Sequence, residues 1–83
     1  MHFVYILECR DKTLYVGSTN DLKRRLVQHN TSKSGAHYTK IRRPVTLRYA
    51  EEHKTLASAR KREAELKRLT RTQKLSLFRD VSV

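Results

Sequence analysis

The sequence predicts an α+β fold, a three-stranded antiparallel sheet flanked by helices in the order β-β-α-β-α-α. Three observations predict it. Two alternating apolar segments near the start are separated by the polar Arg10-Asp11-Lys12, a spacing that suits an antiparallel hairpin. A third alternating segment follows Pro44. Two segments with helical spacing, each opened by a threonine that can cap it, complete the chain. Helices covering an antiparallel sheet satisfy such a mixture of periods in one layered unit.

Each element has its own signal. Residues 2–9 alternate, with Phe3, Tyr5, Leu7 and Cys9 on one side and Val4 and Ile6 on the other. Thr13 to Ser18 reads as the second strand, with Leu14 and Val16 opposite Tyr15 and Gly17. Thr19-Asn20-Asp21 then supplies a cap and an acidic start for a helix over about 20–29. Residues 30–43 read as a long polar loop closed by Pro44, and loops of that length tend to be functional. Val45 to Glu51 is the third strand, with Val45, Leu47 and Tyr49 expected on one face. Thr55 caps a second helix reaching about Leu69, and Thr70 and Gln73 fit a capping box for a third over 71–79, with Leu75 and Phe78 inward.

Eighty-three residues allow one domain, 1–83, with no room for a second folding unit. Lys and Arg number 19 against 8 Asp and Glu, for a formal charge of +11, while the clear patterning argues against wholesale disorder. Such charge points to a polyanion, with nucleic acid ahead of an anionic membrane surface and a merely solvated basic face as the plainer alternative. The longest apolar run, Phe3 to Leu7, is too short to cross a bilayer or to serve as a secretory segment, so a soluble, cytoplasmic protein is expected. Cys9 stands alone, which excludes an internal disulfide and a multi-cysteine zinc site; it reads as a small buried strand residue.

Periodicity also places several polar residues facing inward. Leu22 and Leu26 define the stripe of the first helix; Arg25 and His29 lie beside it, four apart, and Arg24 points away. Leu56, Ala59 and Leu66 define the stripe of the second helix, and Glu63 falls within it. A carboxylate there costs several kcal/mol unless it is paired or bound to a cation. Arg60 and Lys67 are within helical reach of it, so a helix-face ion pair is the alternative to a functional carboxylate. Tyr5, Tyr15 and Gly17 share one face of the expected hairpin, and a strand glycine implies close approach or a bulge. Two half-buried strand tyrosines are the plainer reading of that pair.

Together, Tyr5, Tyr15, Gly17, Arg25, His29 and Glu63 suit phosphodiester hydrolysis. Arginine clamps a phosphate and stabilises charge developing at phosphorus. One carboxylate holds one Mg²⁺, completed by water and substrate oxygens. Tyrosine or histidine near a water acts as general base. A two-metal site needs clustered carboxylates, so a one-metal route is the more natural.

These residues also carry a resemblance. The chain resembles small single-domain bacterial members of the GIY-YIG nuclease superfamily over nearly its whole length. Phe3-Val4-Tyr5 stands at the first motif, with Phe3 replacing its glycine, and Tyr15-Val16-Gly17 stands at the second. Ser18 through Arg25 match the helix start and its arginine, His29 follows four later, and Ala59 to Glu63 match the segment that carries the glutamate.

The resemblance implies a metal-dependent endonuclease acting on single-stranded, branched or duplex DNA, as a monomer or weak dimer, in repair or recombination. It implies a water deprotonated by Tyr5, with Tyr15 or His29 assisting, stabilisation by Arg25, and Mg²⁺ (or Mn²⁺) on Glu63. Tyrosine ionises near pH 10, so Tyr5 needs activation by a cation. Gly17, Tyr38, Lys40, Arg42, Arg43, Arg60 and Lys67 are the candidate substrate contacts, with His37, Lys61, Arg62, Arg68 and Arg71 as further ones. Tyr38 is read as a base-stacking residue, with a loop aromatic packed on the sheet as the alternative. His2 and His53 are read as surface residues. Two alternatives stand beside the nuclease: a non-catalytic basic nucleic-acid-binding module of the same fold, and a basic component of an RNA or ribosome complex.

Overall fold

Val4, Tyr5, Ile6 and Leu7 form an unbroken apolar run, and a strand made of them needs cover on both faces. The computed structural model, which describes residues 1–31, 39 and 41–81 (79–81 as backbone alone), provides that cover. Strand β1 (His2–Cys9) is the centre of an antiparallel sheet, between β2 (Leu14–Thr19) and β3 (Val45–His53). Helix α1 (Leu22–Thr31) follows β2, and α2 (Leu56–Arg68) and α3 (Arg71–Val81) follow β3, in the expected order β-β-α-β-α-α. The four residues of the run are each at most 2% exposed. Among the described residues, no helix is long and apolar enough to cross a membrane.

The alternation of β1 divides the interior in two. Val4 and Ile6 join Val16, Ala59, Leu66 and Phe78 beneath α2 and α3. Tyr5, Leu7 and Cys9 join Val45 on the other face, packed by Tyr15, Leu22, Leu26 and Leu47. Cys9 is therefore the buried small residue expected of it. Phe3, at the position of the missing motif glycine, pairs regularly with Thr19 and Glu52, so the strand accepts the larger side chain.

Three expectations about facing residues are corrected. Val45 and Leu47 face the α1 side, whereas Tyr49 packs beneath α2. The cause is a register shift: Ile6 pairs with Tyr49 and Leu7 with Leu47, so Arg48 is an extra residue that turns the following side chains over. Leu56 is 45% exposed, because it lies in the first turn of α2, beyond the edge of the core. Leu75 is 36% exposed, and Leu77 packs with Phe78 instead.

Side-chain caps fix the helix ends. Asp21 Oδ1 accepts from the Arg24 amide (3.1 Å), and Thr55 accepts from the Ser58 amide (3.1 Å). Thr70 and Gln73 form the expected reciprocal box, with bonds of 2.9 and 3.2 Å. Helix α1 runs two residues past its expected end, to Thr31. Its last turn is held because Arg43 donates to the carbonyls of Gln28 and His29, while the Asn30 amide bonds both the N–H and the C=O of Val45.

Glu51 ties β3 to α2. It accepts from the Tyr49 hydroxyl and from Arg62 Nε (2.8 Å), and lies 2.8 Å from His53 Nε2; His53 Nδ1 is 2.7 Å from Ser58 Oγ. Burial opposes ionisation of Glu51, but these partners outweigh it and hold its carboxyl below the usual range. His53 and Arg62 are thus parts of a clamp, and His53 is partly buried in it rather than a free surface residue.

Candidate functional site

The pairing of β1 with β2 sets Tyr5 opposite Gly17. The reason for glycine there is direct: a Cβ at position 17 would lie 2.5 Å from Tyr5 Oη, 2.7 Å from its Cζ and 3.1 Å from Tyr15 Cε1. The absent side chain is the space through which the Tyr5 ring crosses β2.

The Tyr5 hydroxyl ends 2.8 Å from Nε2 of His29 on α1. The imidazole meets both tyrosine rings edge-on, with centroids 5.8 Å from Tyr5 and 5.2 Å from Tyr15. Its Nδ1 lies 2.7 Å from Thr39 Oγ1, and His29 and Thr39 are both fully buried. Burial, with the charges of Arg25 and Arg43, lowers the His29 pKa to about 4, so the ring is neutral near pH 7. A neutral imidazole has one donor and one acceptor, and hydroxyls on both sides complement either tautomer.

Burial likewise pushes Tyr5 up to about 12; a bond from Arg25 opposes the shift, and the fields of Tyr15 and Glu63 add to it. Arg25 is half-buried on the same helix and donates to Gln28 Oε1 (3.0 Å). Tyr5, Tyr15, Gly17, Arg25 and His29 therefore meet between the sheet and α1.

Glu63 approaches from the opposite face of the sheet, on α2. It accepts from Ser18 Oγ at 2.7 Å, and Lys67 Nζ lies 2.9 Å from its other oxygen. Burial disfavours its charge, but Lys67, Ser18 and the field of Arg60 prevail and hold its carboxyl below the ordinary value. The six collected residues thus straddle strand β2 at Gly17-Ser18 rather than lining a single pocket. The helix-face ion pair weighed as an alternative for Glu63 is present, through Lys67.

Among the described residues, no three His, Cys, Asp or Glu side chains converge on a cation position. The donor chemistry at Glu63 fits a hard divalent ion as a single protein ligand. The carboxylate is ionised, and each oxygen retains a lone pair beside its present partner.

Two clefts open along the end of β2. A smaller one, about 150 Å³, lies between Thr19, Asn20, Asp21, Arg24, Arg25 and Gln28. A larger one, about 310 Å³, lies between His2, Ser18, Thr19, Asn20, Leu56 and Arg60. Among the other candidates, Arg42 pairs with Asp11 at 3.0 Å, Arg43 caps α1, and Arg71 donates to the Lys12 carbonyl. His37, Tyr38 and Lys40 lie outside the described residues.

Sequence reasoning did not single out two residues that contact the collected set, Ser18 and Thr39. Ser18 carried a usable signal, since it continues the Leu14-Val16 alternation onto the face that Glu63 covers. Thr39 carried none, because its contact with His29 closes a polar segment without periodicity.

The chain matches the family model described as the GIY-YIG catalytic domain over residues 1–76. It is 50% identical over 78 residues to a UPF0213 protein of Syntrophus aciditrophicus, covering 94% of this chain and 90% of that one. It is 47% identical to a UPF0213 protein of Halobacterium salinarum, covering 94% and 100%. Among solved structures it resembles the solution NMR structure of a UPF0213 protein from Bacillus halodurans, with TM-score 0.58, 41% identity, and 92% and 80% of the two chains covered. A second solution NMR structure, of an E. faecalis protein, gives TM-score 0.60 at 38% identity, covering 92% and 81%.

Proposed function

Because the chain belongs to the GIY-YIG catalytic-domain family, we propose that it is a divalent-metal-dependent endonuclease hydrolysing phosphodiester bonds of DNA. The observation that carries this reading is the Tyr5–His29 pair with Arg25 beside it, separated only by β2 from the ionised Glu63. Arg25 binds the scissile phosphate and stabilises its developing charge. Tyr5 orients the attacking water and takes up its proton as the phenol's own proton passes to His29 Nε2, 2.8 Å away, with Tyr15 packed edge-on against that imidazole. Glu63 would hold the divalent ion, Mg²⁺ or Mn²⁺, which would supply positive charge to offset the negative charge that develops during hydrolysis.

Arg60, Lys67 and the wider basic surface contact the backbone. Gly17 leaves the space that the Tyr5 ring occupies. Backbone contacts position a strand without reading its sequence. Selectivity therefore lies in strand shape, single-stranded or branched, rather than in base order.

The test is cleavage of single-stranded, branched and duplex DNA with and without Mg²⁺. Wild-type protein cleaves at least one of these only with the ion, and Glu63→Gln and Arg25→Ala each abolish it. Cleavage that survives both substitutions overturns the assignment. The Lys67–Glu63 ion pair favours a second reading, a non-catalytic nucleic-acid-binding module, which predicts salt-sensitive binding with every substrate left intact.

A further inference from the structure

The phosphate chemistry proposed above leaves the larger cleft without a role. We propose that it receives the base of a nucleotide adjoining the scissile phosphate, and that this base is unpaired; the proposal rests on the nuclease reading for its placement along the strand.

Position is the first argument. Ser18 is at once a wall of the cleft and the donor to Glu63 at 2.7 Å. Thr19 and Asn20 line both clefts, so the larger one continues from the space beside Arg25 around the end of β2. A strand whose phosphate lies at Arg25 and Glu63 has its neighbouring base at this opening.

Chemistry is the second. Leu56 is 45% exposed and forms one wall, an apolar surface for a flat ring. Ala59, fully buried, adds a second apolar side chain to the lining. Arg60 brings a planar cation that stacks on a base or meets a phosphate. The exposed Asn20 amide offers a donor and an acceptor to a base edge. Among the described residues, no carboxylate lines the cleft, which suits an anionic nucleotide.

Size and access are the third. At about 310 Å³ the cleft stands at the small end of ligand sites, which span roughly 300–1,000 Å³. A paired base is stacked and its edge is occupied, and extruding one costs a few kcal/mol. An unpaired base enters without that penalty.

The experiment measures binding of the full chain, in EDTA, to a single-stranded decamer and to the matching duplex. It compares wild type with Leu56→Gln and Asn20→Ala, both at exposed positions. Each substitution is expected to weaken single-strand binding about tenfold, leaving duplex binding and the salt slope unchanged. Equal losses on both substrates, or none, overturn the proposal. Amide NMR of the wild type with deoxyadenosine 5′-monophosphate guards against misfolded variants: shifts at Thr19, Asn20 and Leu56 support the cleft, and their absence overturns it. Cleavage with Mg²⁺ is followed in parallel. Selective loss of binding without any wild-type cleavage sinks the nuclease reading and leaves the base cleft standing. Cleavage with unaltered strand preference in both variants sinks the cleft alone.

Discussion

Tyr5 on the central strand and His29 on the first helix share a hydrogen bond of 2.8 Å, and both are almost wholly buried. The same burial moves them in opposite directions, Tyr5 up to about 12 and His29 down to about 4. Both are therefore neutral at physiological pH, and the bond between them is a neutral one. It fixes the phenol in place and leaves activation to the cations nearby.

This pair gives stability a defined pH dependence. The folded state resists protonation of His29, whose pKa is lowered from the ordinary 6.5 to about 4 by burial and by the charges of Arg25 and Arg43. The stabilisation is complete above pH 6.5 and is lost as pH falls toward 4, because the unfolded chain takes up the proton first. The expected loss across that window is about 3 kcal/mol. Urea unfolding at a series of pH values measures it. His29→Gln should flatten the curve between pH 4.5 and 6.5 and lower stability by about 2 kcal/mol above that window, as Tyr5 and Thr39 lose good partners, so that the two curves meet at about pH 5. A wild-type curve already flat in that window would show that His29 titrates normally.

Gly17→Ala tests the crossing of Tyr5 over β2. The new Cβ would sit 2.5 Å from a hydroxyl that is itself tethered to His29, so the ring must leave its bond or the strands must part. Overpacking of this kind costs about 1–3 kcal/mol. Any cleavage activity should fall at least a hundredfold, beyond what the stability loss explains when assayed on fully folded protein. Unchanged activity in a variant that retains wild-type stability would show that the close approach is dispensable.

Most of the fold was legible because it depends on local chemistry. Thr55, Thr70 and Gln73 cap their helices as their spacing indicates, and β1 divides its side chains between two cores as its alternation indicates. Tyr49 was not legible, since a single extra residue at Arg48 reverses its face without any mark in composition. The α1 face of the site was legible from helical spacing, which set Arg25 and His29 toward the tyrosines. The relation of Glu63 to them was not, because period alone does not say that α1 and α2 cover opposite faces of the sheet.

Lys12 offers a stabilising change. It has a left-handed backbone, φ 71°, in the β1–β2 turn, where its amide bonds the Cys9 carbonyl at 2.9 Å. A side chain in that region costs roughly 1–2 kcal/mol, part of which glycine forfeits through its freer unfolded chain. Lys12→Gly should raise stability by about 0.5–1 kcal/mol in urea unfolding. A loss would mean that the lysine side chain contributes more than its backbone strain removes.

Lys67 sets the competition at Glu63. Its ammonium lies 2.9 Å from the carboxylate, where a divalent ion would also draw electron density, so lysine and metal oppose one another. Lys67→Met removes the charge and keeps both chain length and helix propensity. The Mg²⁺ concentration that half-saturates cleavage should fall several-fold, because the ion no longer displaces a bound cation. DNA affinity should fall modestly, with a salt slope smaller by about one, as one phosphate contact disappears. Opposite movements of metal requirement and DNA affinity are the signature of a lysine shared between carboxylate and substrate. A higher Mg²⁺ requirement would instead make Lys67 a group that positions Glu63 for the ion.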